Sequence, residues 1–389
     1  MKKILSFLLS AVLTFVCVAA ALTIGYVVLT SSEMYEWYTA EAAEETEFGS
    51  PYKFYYEKLD NIEKHTYNEI ITHIYDMPEQ IEVPAISFEQ LDRVFSAVLM
   101  DNPDLFFVGR KCTLSSKMLK TFCAVDYIIS KDEYLAQREE IEKSKQDIIS
   151  SLSNPEDEWQ TELEIHDYIV DNCTYELSEP RLVCSSVYGA LINGRAACEG
   201  YSRAAKLLFD EVGIESALVS GTSKSEDGNE GPHMWNAVKI NGDFYYLDCT
   251  WDDPVSANGE EMKIYSYFNV TTKVISKTHS EFSYNFVCID TAENYFVKTG
   301  RYFDGYDRSY EKKIADMISD SIGSGENVQI LFGNKKDYRS AVKDLIDNKR
   351  VYEVLSLAER LSGEKLSKKS VTYLKDDEHL MLTLIPERG

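Results

Sequence analysis

The first block of apolar positions is an uncharged run. Ile4–Leu29 holds no charged residue, Lys2 and Lys3 precede it, and the next charge is Glu33. These 26 residues, wound as a helix at about 1.5 Å per residue, reach roughly 39 Å, enough to cross about 30 Å of hydrocarbon with tilt. A secretory signal needs only about 7–15 apolar residues, so residues 1–30 are expected to be a transmembrane anchor. A signal segment cleaved after Ala19-Ala20-Ala21 is the competing reading. The paired lysines stay in the cytoplasm, and residues 40–389 lie outside it on either reading: single-pass in the cell membrane, or secreted.

Beyond an acidic linker at 31–50 the spacing becomes periodic. Leu59, Ile62, Tyr67, Ile70, Ile71 and Ile74 mark a helix within 52–76, and Phe88–Asp101 predicts another. Strands are expected at Phe106–Val108 and Cys123–Ile129, then a charged helix over Asp132–Leu152. Together these make an N-terminal module, 51–155, helical and mixed. Trp159, Leu163, Ile165, His166, Ile169 and Val170 give one broad face to a helix at 156–173. A short apolar run, Ser186–Ile192, ends in the Asn193-Gly194 turn.

Glu199–Val212 is amphipathic and stops at Gly213. A strand follows at Ile214–Gly221, then a polar loop, Ser223–Gly231. His233–Ile240 and Asp243–Thr250 alternate around Asn241-Gly242, the strongest short hairpin signal. Further strands are expected over 264–300, which closes a core at 156–300. A C-terminal α/β module, 301–389, carries a helix after Tyr310, a strand at Val328–Phe332, helices near 337–347 and 351–361, and a hairpin at Asp376-Asp377. There is no internal repeat and no low-complexity tract.

Composition narrows the function classes. A net charge of −25 with a pI near 4.7, and no basic patch, oppose nucleic acid and anionic lipid as partners. Seven cysteines lie beyond the first segment: Cys112, Cys123, Cys173, Cys184, Cys198, Cys249 and Cys288. An odd number leaves at least one thiol unpaired, and sequence cannot choose among the pairings open to the others. No C-x-x-C pair and no helical H-x-x-x-H is present, and Asp248–Asp253 lacks the oxygen spacing of a calcium loop, so no metal and no cofactor are expected.

The candidate chemistry converges on three residues. Cys198 falls where a helix begins. Helix N-termini carry partial positive charge and unpaired N–H groups, which favour a thiolate and can hold an oxyanion. Gly200 would let a substrate backbone approach if it were exposed. In the hairpin, a two-residue loop pairs Ile240 with Asp243, Trp235 with Asp248 and His233 with Thr250. His233, Trp235, Asp248 and Thr250 then share one face, with His233 and Asp248 diagonal at about 7–8 Å between backbones. Asp248 is placed to orient His233, and His233 to activate Cys198. Cys249 and Met234 point to the opposite face.

Tyr188-Gly189-Ala190-Leu191, Cys198-Glu199-Gly200-Tyr201-Ser202, His233-Met234-Trp235-Asn236 and Tyr246-Leu247-Asp248-Cys249-Thr250-Trp251-Asp252-Asp253 resemble the core of the transglutaminase-like superfamily. Met234 departs from the pattern, which commonly has a small residue there. The resemblance implies an α+β, papain-like fold with a Cys-bearing helix packed on an antiparallel sheet. It implies Cys198, His233 and Asp248 as the catalytic Cys, His and Asp. The expected activity is an acyl-thioester chemistry on peptide or protein amides, cell-wall peptides among them. Hydrolysis and transamidation stay open, as does a side-chain oxyanion donor. The alternative is a surface binding or scaffold protein that keeps the fold without turnover.

Overall fold

The protein is described here by a computed structural model, covering residues 2–29, 37–43, 48–117, 120–177, 181–225, 228–254, 262–324, 327–368 and 371–387. The N-terminal run forms a helix, Lys2–Leu29. Among the described residues no helix is long and apolar enough to cross a membrane. Only the side chains of 12–25 are described in that helix, a stretch shorter than the about 20 residues a span needs. The expected anchor therefore has no support from the structure. Parts of the acidic linker and of the Ser223–Gly231 loop lie outside the described residues.

The chain divides into two compact units, Met1–Asp147 with Ser186–Tyr188, and Ile148–Ser185 with Gly189–Gly389. In the first, two helices start on reciprocal capping boxes. Asp60 and Glu63 open Asn61–His73, and Ser87 and Gln90 open Phe88–Asp101. Their apolar faces bury Tyr67, Ile70 and Ile71, and Leu91, Val94 and Val98. A three-stranded antiparallel sheet runs in the order Ile81–Val83, Lys120–Tyr127, Val108–Lys117. The last of these strands extends well past the expected Val108.

The second unit holds the antiparallel sheet of the core. Its strands stand in the order Asp243–Leu247, Glu230–Ile240, Ser216–Lys224, His279–Ser280. Asn241 and Gly242 take φ of 52° and 95°, the left-handed pair that a two-residue hairpin of this hand requires. The register follows, from Ile240 opposite Asp243 to Asn236 opposite Leu247. The helix Cys198–Val212 packs on this sheet and buries Tyr201, Ala204, Ala205 and Leu208 in one cluster with Val238, Ile240, Tyr245 and Leu247. Each large apolar side chain so buried contributes about 1.5–3 kcal/mol. Gly213 closes the helix at φ 77°.

The stretch 264–300 corrects the expectation of strands. It holds two single-turn helices, Thr272–Ile275 and Tyr295–Lys298, and only one short strand, His279–Ser280. Its aromatic residues do enter the core, but the backbone runs through turns fixed by side chains. Thr271 and Asn294 cap the two helices, and Asn294 also donates to the Phe268 carbonyl.

The C-terminal stretch contains helices Tyr310–Ser324, Lys335–Val342 and Val351–Ser362, with a π-turn at Lys343–Asp347. Its mixed sheet runs Tyr302–Phe303, Val328–Phe332, Met381–Ile385, Thr372–Asp376. It has its own apolar cluster around Ile314, Ile318, Ile330 and Leu382, yet it falls in the same compact unit as the core.

Candidate active site

Cys198 is the first residue of its helix, and Ala197 at the N-cap has extended backbone with no side-chain cap. The approach to it is fixed by a short parallel pairing of Thr174–Tyr175 with Arg195–Ala196. One turn on, Ser202 Oγ lies 2.9 Å from the Cys198 carbonyl and 2.9 Å from the Met234 carbonyl. Asn236 Nδ2 donates to the Ser202 carbonyl at 3.0 Å. These bonds tie the helix start to the strand of His233 at residues 234 and 236. They place the thiol beside the imidazole.

His233 is buried, at 7% exposure, while Cys198 is only partly covered. His233 Nε2 is 2.7 Å from Asp248 Oδ2, and Cys198 stands close enough to the same ring to favour its charged form. The ring lies between Trp235, stacked at 5.9 Å, and Trp251 at 5.8 Å. Burial opposes a charged imidazole here, but the Asp248 charge and hydrogen bond outweigh it and raise His233 to about 10.

Asp248 stands one residue past the last ladder pair, where the chain leaves the strand. Tyr201 and Asp253 meet on the far side of this turn, with OH and Oδ2 2.6 Å apart. The expected pairing of His233 with Thr250 is not formed, because residues 248–253 fold into a turn. The Thr250 and Trp251 N–H groups instead donate to Asp248 Oδ1 at 3.1 and 3.2 Å. The carboxylate is 1% exposed. Burial would raise its pKa, but His233 and the hydrogen bonds hold it far below the usual carboxylate range.

The structure thus brings together all three residues singled out in the sequence. Cys249 lies in the core as expected. Burial pushes Cys173 and Cys288 up to about 12 and Cys249 well above its ordinary value, so these three thiols stay protonated. Gly200 is buried, so it offers no open approach for a substrate backbone.

Sequence reasoning missed His279. Its Nε2 lies 3.0 Å from the same Asp248 Oδ2, and its side chain is fully buried. It arrives on a two-residue strand paired to Thr222 and Ser223, and no short-range signal marks it. His233, Asp248 and His279 present ligand atoms within 4.8 Å of one another, a grouping that by composition suits a metal ion. The separations of 2.7 and 3.0 Å are hydrogen-bond lengths to one shared oxygen, and we assign no ligand role. A second buried polar group lies behind the turn. His166 Nδ1 meets Asp167 at 2.9 Å, and its Nε2 faces Asp252 at 3.3 Å.

Residues 143–249 match the family model described as the transglutaminase-like superfamily. Among solved structures, one described as a TGase is 16% identical, over 38% of this chain and 46% of that one, with a TM-score of 0.27. A protein from Cytophaga hutchinsonii, provisionally named a cysteine protease, is 12% identical over 40% of this chain and 65% of its own, with a TM-score of 0.24. Another from Parabacteroides distasonis, provisionally named a protease, is 11% identical over 40% of each chain, with a TM-score of 0.22. The shared region is less than half of the first of these chains. No curated protein matches.

Proposed function

We propose, on the premise that residues 143–249 are a transglutaminase-like core, that the chain is a thiol enzyme acting on amide bonds of peptides or proteins. Cys198 is the nucleophile, His233 the proton carrier and Asp248 the group that orients His233. The observation that carries this reading is the 2.7 Å contact of His233 Nε2 with Asp248 Oδ2, with Cys198 at its helix start beside the same ring.

In the first step Cys198 Sγ attacks the amide carbonyl carbon. The C–N bond breaks, and His233 gives its proton to the departing amine. The helix begins at Cys198, and the partial positive charge at its N-terminal end favours the negative charge that develops on the carbonyl oxygen. In the second step water or an amine attacks the thioester, its proton passes to His233, and the C–S bond breaks. Water gives hydrolysis and an amine gives transamidation. No step requires a cofactor.

The catalytic part belongs outside the cytoplasm in this reading, because Lys2-Lys3 and the uncharged Ile4–Leu29 precede it. Peptides and proteins of the cell surface or wall are the fitting substrates there. A silent surface binder with the same fold would have no use for all three of these groups together. The test is competitive labelling with iodoacetamide. Cys198 should react faster than every other cysteine, and His233→Ala should slow it. Equal labelling of Cys198 in both proteins overturns the reading.

A further inference from the structure

His279 takes no proton in the steps above, yet both of its ring nitrogens are committed. Nε2 faces Asp248 Oδ2 at 3.0 Å, and Nδ1 faces Thr278 Oγ1 at 2.8 Å. Thr278 Oγ1 is in turn 3.1 Å from the Tyr267 hydroxyl. The ring packs edge-on against Trp235 at 4.7 Å and tilts against Trp251 at 4.9 Å. A ring present only to fill space would need its shape and not its nitrogens.

The backbone is built to bring this residue in. Ser223 pairs with His279 and Thr222 with Ser280. Gly221, opposite His233 in the sheet, allows the approach: a Cβ there would stand 2.4 Å from the Ser280 carbonyl oxygen and 2.8 Å from the Trp235 ring. Past the strand, Ser283 N–H donates to the Ser220 carbonyl at 2.8 Å, and Ser220 N–H to Ser283 Oγ at 3.0 Å.

Four donors therefore converge on one buried carboxylate. Thr250 and Trp251 take Oδ1, and His233 and His279 share Oδ2. A carboxylate oxygen has two lone pairs, so the sharing is allowed. Two donors on one oxygen each meet less negative potential than either would alone. Pinned at both oxygens, the group also loses its freedom to rotate.

We propose that His279 is a positioning residue for the thiol centre, one that shares Asp248 Oδ2 with His233, fixes the carboxylate, and limits how tightly that oxygen holds the His233 ring. The consequence is that His233 can release its proton to a leaving amine instead of retaining it on Asp248's account. The functional part of this inference rests on the triad reading; the sharing of the oxygen does not.

The test is proton NMR of the full chain labelled with 15N-histidine, which has six histidines to assign. Two ring N–H signals, from His233 and His279, should appear far downfield and exchange slowly. In His279→Phe one signal disappears and that of His233 moves further downfield, because its acceptor is no longer shared. His279→Gln returns an amide donor and should bring the His233 signal back. Thr278→Val keeps the ring and weakens it as a donor, so it serves if Phe is not accommodated: the His279 signal moves upfield and the His233 signal downfield. A His233 signal that stays in place in folded His279→Phe, or that is displaced equally in His279→Gln, overturns the proposal. Slow labelling of Cys198 in the unsubstituted protein would defeat the triad reading and leave the shared oxygen untouched.

Discussion

Replacing Asp248 by asparagine keeps the shape of the side chain and removes its charge. The amide offers one acceptor oxygen where the carboxylate offered two. Whichever way it turns, its NH2 group meets either the two imidazole N–H donors or the two backbone N–H donors of Thr250 and Trp251. One pair of buried donors is left facing other donors, at 1% exposure, where water cannot rescue them. His233 also loses the charge that holds it at about 10 and falls back toward its ordinary value of 6.5. Removing one partner of a buried pair costs about 3–5 kcal/mol. For a unit the size of Ile148–Ser185 with Gly189–Gly389, each kcal/mol lowers Tm by about 2–4 °C, so Asp248→Asn should melt roughly 6–20 °C lower. The assay pairs thermal unfolding with iodoacetamide labelling of Cys198 near pH 8, read by peptide mass. Labelling should slow in the variant at temperatures where it is still folded. Unchanged melting together with unchanged labelling would refute the reasoning, because it would mean that neither the charge nor the four donors matter.

Stability should decline on the alkaline side. Burial raises Glu162 to about 8, while hydrogen bonds and the charges of Asp167, Asp252 and Asp248 overcome burial to raise His166 to about 9 and His233 to about 10. Each folded value exceeds the unfolded one, so the stabilisation is complete below the ordinary value and is lost as pH rises through the folded value; Tm should fall steadily between about pH 6.5 and 10, and a flat Tm over that window would contradict these environments. Asn236→Ala removes one tie between the Cys198 helix and the His233 strand, and should cost about 1–2 kcal/mol and slow Cys198 labelling while leaving the circular dichroism spectrum unchanged. Cys112 and Cys123 are diagonal neighbours on one face of adjacent strands, and the nearby Cys123 thiol, with burial, pushes Cys112 up. Both are free thiols, and glutathione disulfide should join them with loss of two hydrogens and release of glutathione; alkylation of both after that treatment would show the pair does not close.

The sequence exposed the site unevenly, and the reasons are local. Asn241-Gly242 dictates its own turn, so the register that sets His233 near Asp248 could be counted outward from two residues. Gly213 marks the end of the Cys198 helix, and amphipathic spacing marks its inward face, because both depend on neighbours within a few positions. The counted register holds only to Leu247; beyond it Asp248 draws two N–H groups onto itself and bends the chain, an event with no period. His279 was invisible for a different reason. Its strand is two residues long, its place depends on a missing Cβ at Gly221, and its partner is 31 positions away. The strands expected over 264–300 were misread because Tyr265, Tyr267, Phe268 and Val270 are apolar enough for a buried strand, while asparagine and threonine caps direct the backbone into turns instead.

The central claim is that Cys198 carries an acyl group during turnover. The direct measurement is peptide mass mapping after brief incubation with cell-surface peptides and acid quenching. A mass increase on the Cys198 peptide, discharged by hydroxylamine and absent in Cys198→Ala, is the predicted result. Acylation of a different residue, or none on Cys198 while amide substrates are consumed at an undiminished rate by Cys198→Ala, would contradict it.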